Sequence, residues 1–163
     1  MAFEIINKDI TKLDVDVIVN AANTSLQMGG GVCGAIFKAA GAKDLQEACD
    51  KLAPIPTGEA VITDGFNLNA RYIIHTAGPI YDLENPQKSK KLLADAYKNS
   101  LRLAKDNKLN SIAFPLISAG IYGYPEKEAY EIAKNTINDF LKENDMQVFL
   151  TIIDKDLLEY IED

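Results

Sequence analysis

Two asparagines, Asn20 and Asn23, and a glycine run, Gly29, Gly30 and Gly31, stand between an apolar stretch and a helical pattern. Glycine lets a backbone approach an anion closely, and the first N–H groups of a helix point at it, so this layout can hold a phosphate. An asparagine amide offers both a donor and an acceptor, which suits the hydroxyls of a ribose. A second stretch repeats the plan. Ser118-Ala119-Gly120-Ile121-Tyr122-Gly123-Tyr124 comes after another apolar run and precedes Pro125, which opens a helix. Two such loops on one edge of a sheet could grip a diphosphate from both sides. The common phosphate motifs fit poorly. A P-loop needs G-x-x-x-x-G-K-[ST], and Lys38 lies too far into the helix. The dinucleotide fingerprint can be drawn as Gly29-x-Gly31-x-x-Gly34, but glycine-rich runs produce that pattern easily. The bland alternative for the first loop is a turn that needs glycine for geometry alone, and Ser118 reads equally as a turn residue.

Loops of this kind need strands that end at them and helices that start from them. Phe3–Ile6 reads as the first strand, and the apolar run from Val15 to Asn20 as the second. A helix is expected from about Val32 to Ala40, with Gly41 where a helix C-terminal glycine belongs. Another helix is expected near Lys43–Leu52, stopped by Pro54 and Pro56. Ala60–Thr63 and Tyr72–Ala77 read as strands joined by a turn around Asp64–Asn67, and Gly78-Pro79 breaks the next segment. Asn85-Pro86 starts a helix, asparagine as cap and proline in the first turn, that runs to about Asp106. Tyr97 on that helix reads as a core contact, and Lys88, Lys90 and Lys91 as a solvated face. Ser111–Ile117 is the strand before the second loop. Pro125 to about Lys142 is a second long helix, Gln147–Ile153 the last strand, and Leu157, Leu158 and Ile161 pack a short terminal helix. Strands alternating with helices imply a three-layer α/β/α sandwich.

The bulk properties narrow the function. The chain of 163 residues fits one domain, residues 1–163, with a sizeable core. A net charge of −7 disfavours a nucleic-acid scaffold, which would show a basic face, yet leaves room for an anionic ligand held by backbone amides. The N-terminal stretch carries acids and no long apolar core, so neither an export signal nor a membrane span is expected, and two cysteines point to a reduced, cytoplasmic setting without a disulfide framework. The one histidine, His75, lies inside the apolar run Tyr72–Ala77 and reads as a packed strand residue and not a catalytic base. With so few His and Cys residues a zinc site is not expected.

Four segments in order carry a family resemblance: V-x-V-I-V-N-A-A-N, G-G-G-V-x-G-A-I, I-H-T-A-G-P and P-L-I-S-A-G-I-Y-G-Y-P, with Asp9-Ile10-Thr11 as an opening D-I-T. Together they resemble the macro domain, the ADP-ribose-binding module, over about Glu4 to Asp154. Among its subgroups the chain is most similar to the bacterial O-acetyl-ADP-ribose deacetylase and MacroD-like hydrolases, with a viral flavour in G-G-V-C. The resemblance implies a mixed central sheet within the α/β/α layering. It implies adenine near Asp9 and Ile10, with Asp154 at the border of that pocket. It implies the diphosphate on backbone N–H groups between Gly31-Val32 and Ser118-Ala119-Gly120-Ile121-Tyr122. Asn23 is then expected to reach the distal ribose, Asn20 to brace the loop through hydrogen bonds to backbone, and Tyr122 to cover the distal ribose and help position a water. For Asp9 the residues alone suggest a turn or cap, and for Tyr122 a loop aromatic stacked on the core.

The activity so implied is hydrolysis of an ester at the distal ribose, in O-acetyl-ADP-ribose or in ADP-ribose attached to an acidic protein side chain, with no metal or redox cofactor. The alternative is a non-catalytic reader of ADP-ribosylated proteins. A groove for RNA or poly(ADP-ribose) is disfavoured by the charge. One position departs from the pattern. The hydrolases usually carry G-G-G-V-D-G-A-I-H, whereas this chain has Cys33 in place of the aspartate and Phe37 in place of the histidine. A neutral thiol is a poor base near neutral pH. Cys33 reads as a small packing residue, and a thiolate formed at the helix N-terminus is the reactive alternative.

Overall fold

The structure, a computed structural model, describes residues 2–162. Six strands form one sheet in the order β1 (Phe3–Ile6), β6 (Gln147–Thr151), β5 (Ser111–Phe114), β2 (Val17–Ala22), β4 (Tyr72–Ala77), β3 (Ala60–Asp64). Every neighbouring pair is parallel except β3 with β4, so the sheet is mixed, as the resemblance implies. The helices are α1 (Gly31–Ala40), α2 (Ala42–Asp50), α3 (Pro86–Asp106), α4 (Glu126–Leu141) and α5 (Lys155–Glu162), with a 3₁₀ turn at Ile10–Lys12. No helix among the described residues is long and apolar enough to cross a membrane.

The sheet is covered on both faces, which explains why its central strands read as unbroken apolar runs. Side chains alternate along β2: Val17 and Val19 join Leu93, Tyr97 and Leu101 of α3 and Ala129, Ala133 and Ile137 of α4. Ile18, between them, joins Ile36 and Phe37 of α1 and Leu45 of α2 on the other face. Asn20 and His75 are paired across β2 and β4, on the α1–α2 face by the same alternation.

This arrangement fixes where a ligand can go. β2 and β5 are neighbours, but the chain leaves β2 for α1 on one face and, after β5, reaches α4 on the other. The divergence leaves a crevice at the carboxyl ends of the two strands, where open α/β sheets bind their ligands.

Several boundaries differ from the sequence expectation. β2 begins at Val17 instead of Val15 and runs on through Ala21 and Ala22, which stay in register with Thr76 and Ala77. β5 stops at Phe114 instead of Ile117, because Pro115 has no N–H for the ladder. β6 ends at Thr151, two residues early. The helix start at Asn85 is as expected: its side chain accepts from Lys88 N, with Pro86 in the first turn.

Candidate functional site

A cavity of about 460 Å³ occupies the crevice. Its floor comes from the ends of β2, β5 and β6, and its two walls are the glycine loops: Gly29 to Cys33 on one side, Ser118 to Tyr122 on the other. Of the residues expected at the ligand, Asn23, Gly31, Val32, Cys33, Ser118, Ala119, Gly120, Ile121, Tyr122 and Asp154 line it. No Lys, Arg or His is among the lining residues; the charged ones are Glu126 and Asp154.

The first wall is the open end of α1. Its N-cap is Gly30, which has no side chain to accept from the first turn, so the N–H groups there are left for a ligand. Gly34 is required by packing: a Cβ on it would lie 2.6 Å from Gly29 O, a backbone atom that cannot swing away. The second wall is anchored from beneath. The buried Tyr97 hydroxyl donates to Pro115 O (3.1 Å) and accepts from Ile117 N (3.0 Å), taking over the backbone groups that the ended strand no longer pairs. Ser118 has φ 68°, a left-handed conformation rare outside glycine, held by its hydroxyl donating to Pro79 O at 2.7 Å. Tyr81 N donates to Tyr122 O at 2.9 Å, so the loop after β4 braces the tip.

The asparagines do not divide their duties as expected. Asn23 is the residue that bonds loop backbone: its Nδ2 donates to Gln27 O (2.9 Å) and its Oδ1 accepts from Gln27 N (3.0 Å) and from Ser25 Oγ (2.9 Å). Half-buried at the cavity wall, it keeps one amide hydrogen for a ligand. Asn20 is the correction. It is fully buried, lies outside the cavity lining, and its partners are side chains and not backbone. Its Nδ2 donates to His75 Nδ1 at 3.1 Å and approaches Cys33 Sγ at 3.6 Å. The reason is register: Asn20 and His75 face each other across parallel strands beneath α1.

His75 is wholly buried, as expected, and desolvation pushes its pKa down to about 4. With Nδ1 accepting, the neutral ring carries its proton on Nε2, which donates to Thr63 Oγ1 at 3.0 Å. Cys33 is buried with its thiol at the cavity wall, accepting from Asn20 and donating to Gln27 O at 3.8 Å. Cys49 lies on the far side of His75, where burial pushes its thiol up to about 11. No group of three or more His, Cys, Asp or Glu among the described residues is arranged to hold a metal ion.

At the β6 end Glu126 and Asp154 form a carboxyl pair. Partial burial raises Glu126, and the neighbouring charges of Asp154 and Asp156 add to this. Asp154 is held low by Leu157 N–H and by a proton from Glu126. Asp9 and Ile10 lie outside the cavity lining. Asp9 caps the 3₁₀ turn, accepting from Thr11 Oγ1 (2.7 Å) and Thr11 N (3.0 Å), which lower its pKa, and Ile10 packs into the core. Sequence reasoning missed Gly78, Glu126 and Thr151 as lining residues, together with apolar residues at the ends of β2, β5 and β6 such as Ala22, Ile117 and Ile152. Gly78 carried a signal, since it comes directly after a strand end, yet it read only as a breaker.

Comparison with known proteins agrees with this geometry. The family model described as Macro domain matches residues 19–133. A protein of Escherichia fergusonii named O-acetyl-ADP-ribose deacetylase is 49% identical, over 93% of this chain and 88% of that one. The Xenopus laevis protein named ADP-ribose glycohydrolase MACROD2 is 47% identical over 93% of this chain, which spans 37% of that longer protein. A mutant Oceanobacillus iheyensis macrodomain, solved with ADPR, superposes with a TM-score of 0.90 at 46% identity, covering 99% of this chain and 94% of that one.

Proposed function

This chain belongs to the macro domain family, and we propose that it binds ADP-ribose and hydrolyses esters at its distal ribose. The substrates are O-acetyl-ADP-ribose or ADP-ribose attached to an acidic protein side chain. One observation carries the reading: the uncapped start of α1 and the Ser118–Tyr122 loop face each other across a single cavity that has no cationic side chain. A diphosphate there is held by backbone N–H groups, whose partial charges complement it without a lysine or arginine. The family resemblance gives the ligand's direction along the sheet edge. The base lies at the β6 end, near Asp9 and Ile10, whose carboxylate and backbone face its exocyclic amine and ring edge, with Asp154 bordering that pocket. The distal ribose lies at the β2 end, under Asn23 and Tyr122. Water adds to the ester carbonyl carbon, the bond from that carbon to the ribose oxygen breaks, and the water's proton passes to the departing oxygen. The ligand's own phosphate and the loop backbone hold the water, since Cys33 offers no carboxylate there.

That substitution favours a second reading, a non-catalytic reader. The Cys33 thiol is engaged by Asn20 and Gln27, and the carboxylates that line the cavity, Glu126 and Asp154, are with the base and not the ester. Two measurements separate the readings. Calorimetry is expected to give ADP-ribose a far higher affinity than AMP, which lacks the second phosphate and the distal ribose; equal affinities would refute the diphosphate cradle. Mass spectrometry of O-acetyl-ADP-ribose and of a peptide ADP-ribosylated on glutamate is expected to show product release. Tight binding with no turnover on either ester would establish the reader.

A further inference from the structure

A second cavity, of about 330 Å³, adjoins the first and shares Gly78 and Tyr122 with it. It continues the same line along the sheet edge. The first covers the ends of β6, β5 and β2; the second lies past β4, at Gly78, Pro79 and Ile80, with Thr24 after β2 and Thr57 ahead of β3. It therefore opens at the distal-ribose end, where the esterified group must project.

We propose that this second cavity is an acceptor subsite for an acidic peptide segment bearing the ADP-ribosyl ester. The proposal rests on the ester-hydrolase reading and names which of its two substrates the protein is built for. Size is the first argument. The space holds about ten waters at about 30 Å³ each, so an acetyl group would leave most of it wet, whereas a modified side chain brings peptide on both sides. Charge is the second. In a protein of net charge −7 an acidic peptide is repelled overall, and the cation lining this cavity is Lys88, which forms no ion pair among the described residues. Asp82, the acid on the lining, turns back on its own loop and accepts from Glu84 N at 2.9 Å. The hydroxyls of Thr24 and Thr57 make no hydrogen bond to other described residues, which leaves them for peptide backbone. On the lining, Ile80 is 70% exposed, apolar surface of the kind that a bound chain covers. The lysine run on α3 read as a solvated face from sequence; Lys88 is exposed, but it is exposed into this cavity.

The test uses two synthetic peptides that carry ADP-ribose through a linkage water does not cleave, one flanked by glutamates and one by glutamines, so that it works whether or not the protein turns over. The acidic peptide is expected to bind the unaltered protein about fivefold more tightly at about 0.15 M salt, where charges beyond about 8 Å are screened and the contact with Lys88 is not, the size of an exposed charge pair, with the advantage fading toward about 1 M salt. Lys88→Glu is expected to invert the preference and leave free ADP-ribose affinity unchanged. The residue is exposed near the start of a helix, where an acid is tolerated, so the variant folds. Equal binding of the two peptides, or a Lys88→Glu variant that keeps the acidic preference, overturns the subsite while leaving ADP-ribose recognition standing. Failure of free ADP-ribose to bind the unaltered protein overturns both.

Discussion

The single histidine makes one consequence of the buried network directly measurable. His75 is neutral in the folded protein because burial lowers its pKa from 6.5 to about 4, and in the unfolded chain it titrates near 6.5. Above that pH the ring is neutral in both states and contributes no pH dependence. Below it the unfolded chain takes up a proton that the folded protein refuses, so stability falls as the pH drops and levels off near pH 4. At about 1.4 kcal/mol per pH unit, the loss reaches about 2.5 kcal/mol by about pH 4.5. Urea unfolding of the unaltered protein and of His75→Gln, from about pH 7.5 to 4.5, isolates this amount. Carboxylates titrate alike in both proteins, and glutamine keeps a donor and an acceptor for Asn20 and Thr63. The variant is expected to be less stable at neutral pH and to lose about 2.5 kcal/mol less on acidification. Parallel pH curves, or an imidazole NMR resonance that titrates near 6.5 in the folded protein, would refute the buried neutral ring and the Asn20 geometry built on it.

Three substitutions probe the cavity itself. Gly120→Glu has open space around its Cβ, so it is expected to fold normally while placing a carboxylate against the phosphates; at an effective dielectric near 20 the repulsion is a few kcal/mol, and calorimetry should show ADP-ribose affinity down about a hundredfold. Near-normal affinity would put the second loop away from the ligand. Asn23→Ala is expected to cost about 1–3 kcal/mol, with turnover falling more than binding; unchanged turnover would mean the distal ribose is held elsewhere. Cys33→Ala is expected to retain most activity, because phosphate and loop backbone hold the water, and a complete loss with ADP-ribose affinity intact would bring the thiol into the chemistry.

The elements legible from sequence are those whose signals are local. β4 was readable to the residue because it is buried on both faces and so reads as one apolar run, and α3 because Asn85 and Pro86 mark its start chemically. Boundaries set by partners were not. Alanines 21 and 22 carry little strand preference and stay in β2 only because β4 lies alongside. β5 ends where Pro115 breaks the ladder, and the freed backbone is satisfied by Tyr97, on a helix that ends before the strand begins. The same division holds at the site. Both glycine loops announce themselves, whereas the partners of Asn20 and the second cavity are assembled from segments far apart in the chain and leave no pattern along it.

The electrostatic layout also explains how so acidic a protein can accept an anion. An anion site built from lysines would have to offset the net charge at long range and would weaken with salt. Backbone N–H groups act only at contact, so they select a diphosphate that fits without drawing polyanions to the surface. The Glu126–Asp154 pair gives the cavity a direction: a phosphate entering at the β6 end meets carboxylate, while a neutral base with an amine donor meets an acceptor. Lys88 lies outside the main cavity, on the lining of the second one, which is where the acceptor subsite proposed above would meet what the ribose carries. On the function proposed above, amides in the middle, carboxylates at one end and a cation past the other favour the orientation of ADP-ribose that brings the distal ribose to Asn23 and Tyr122.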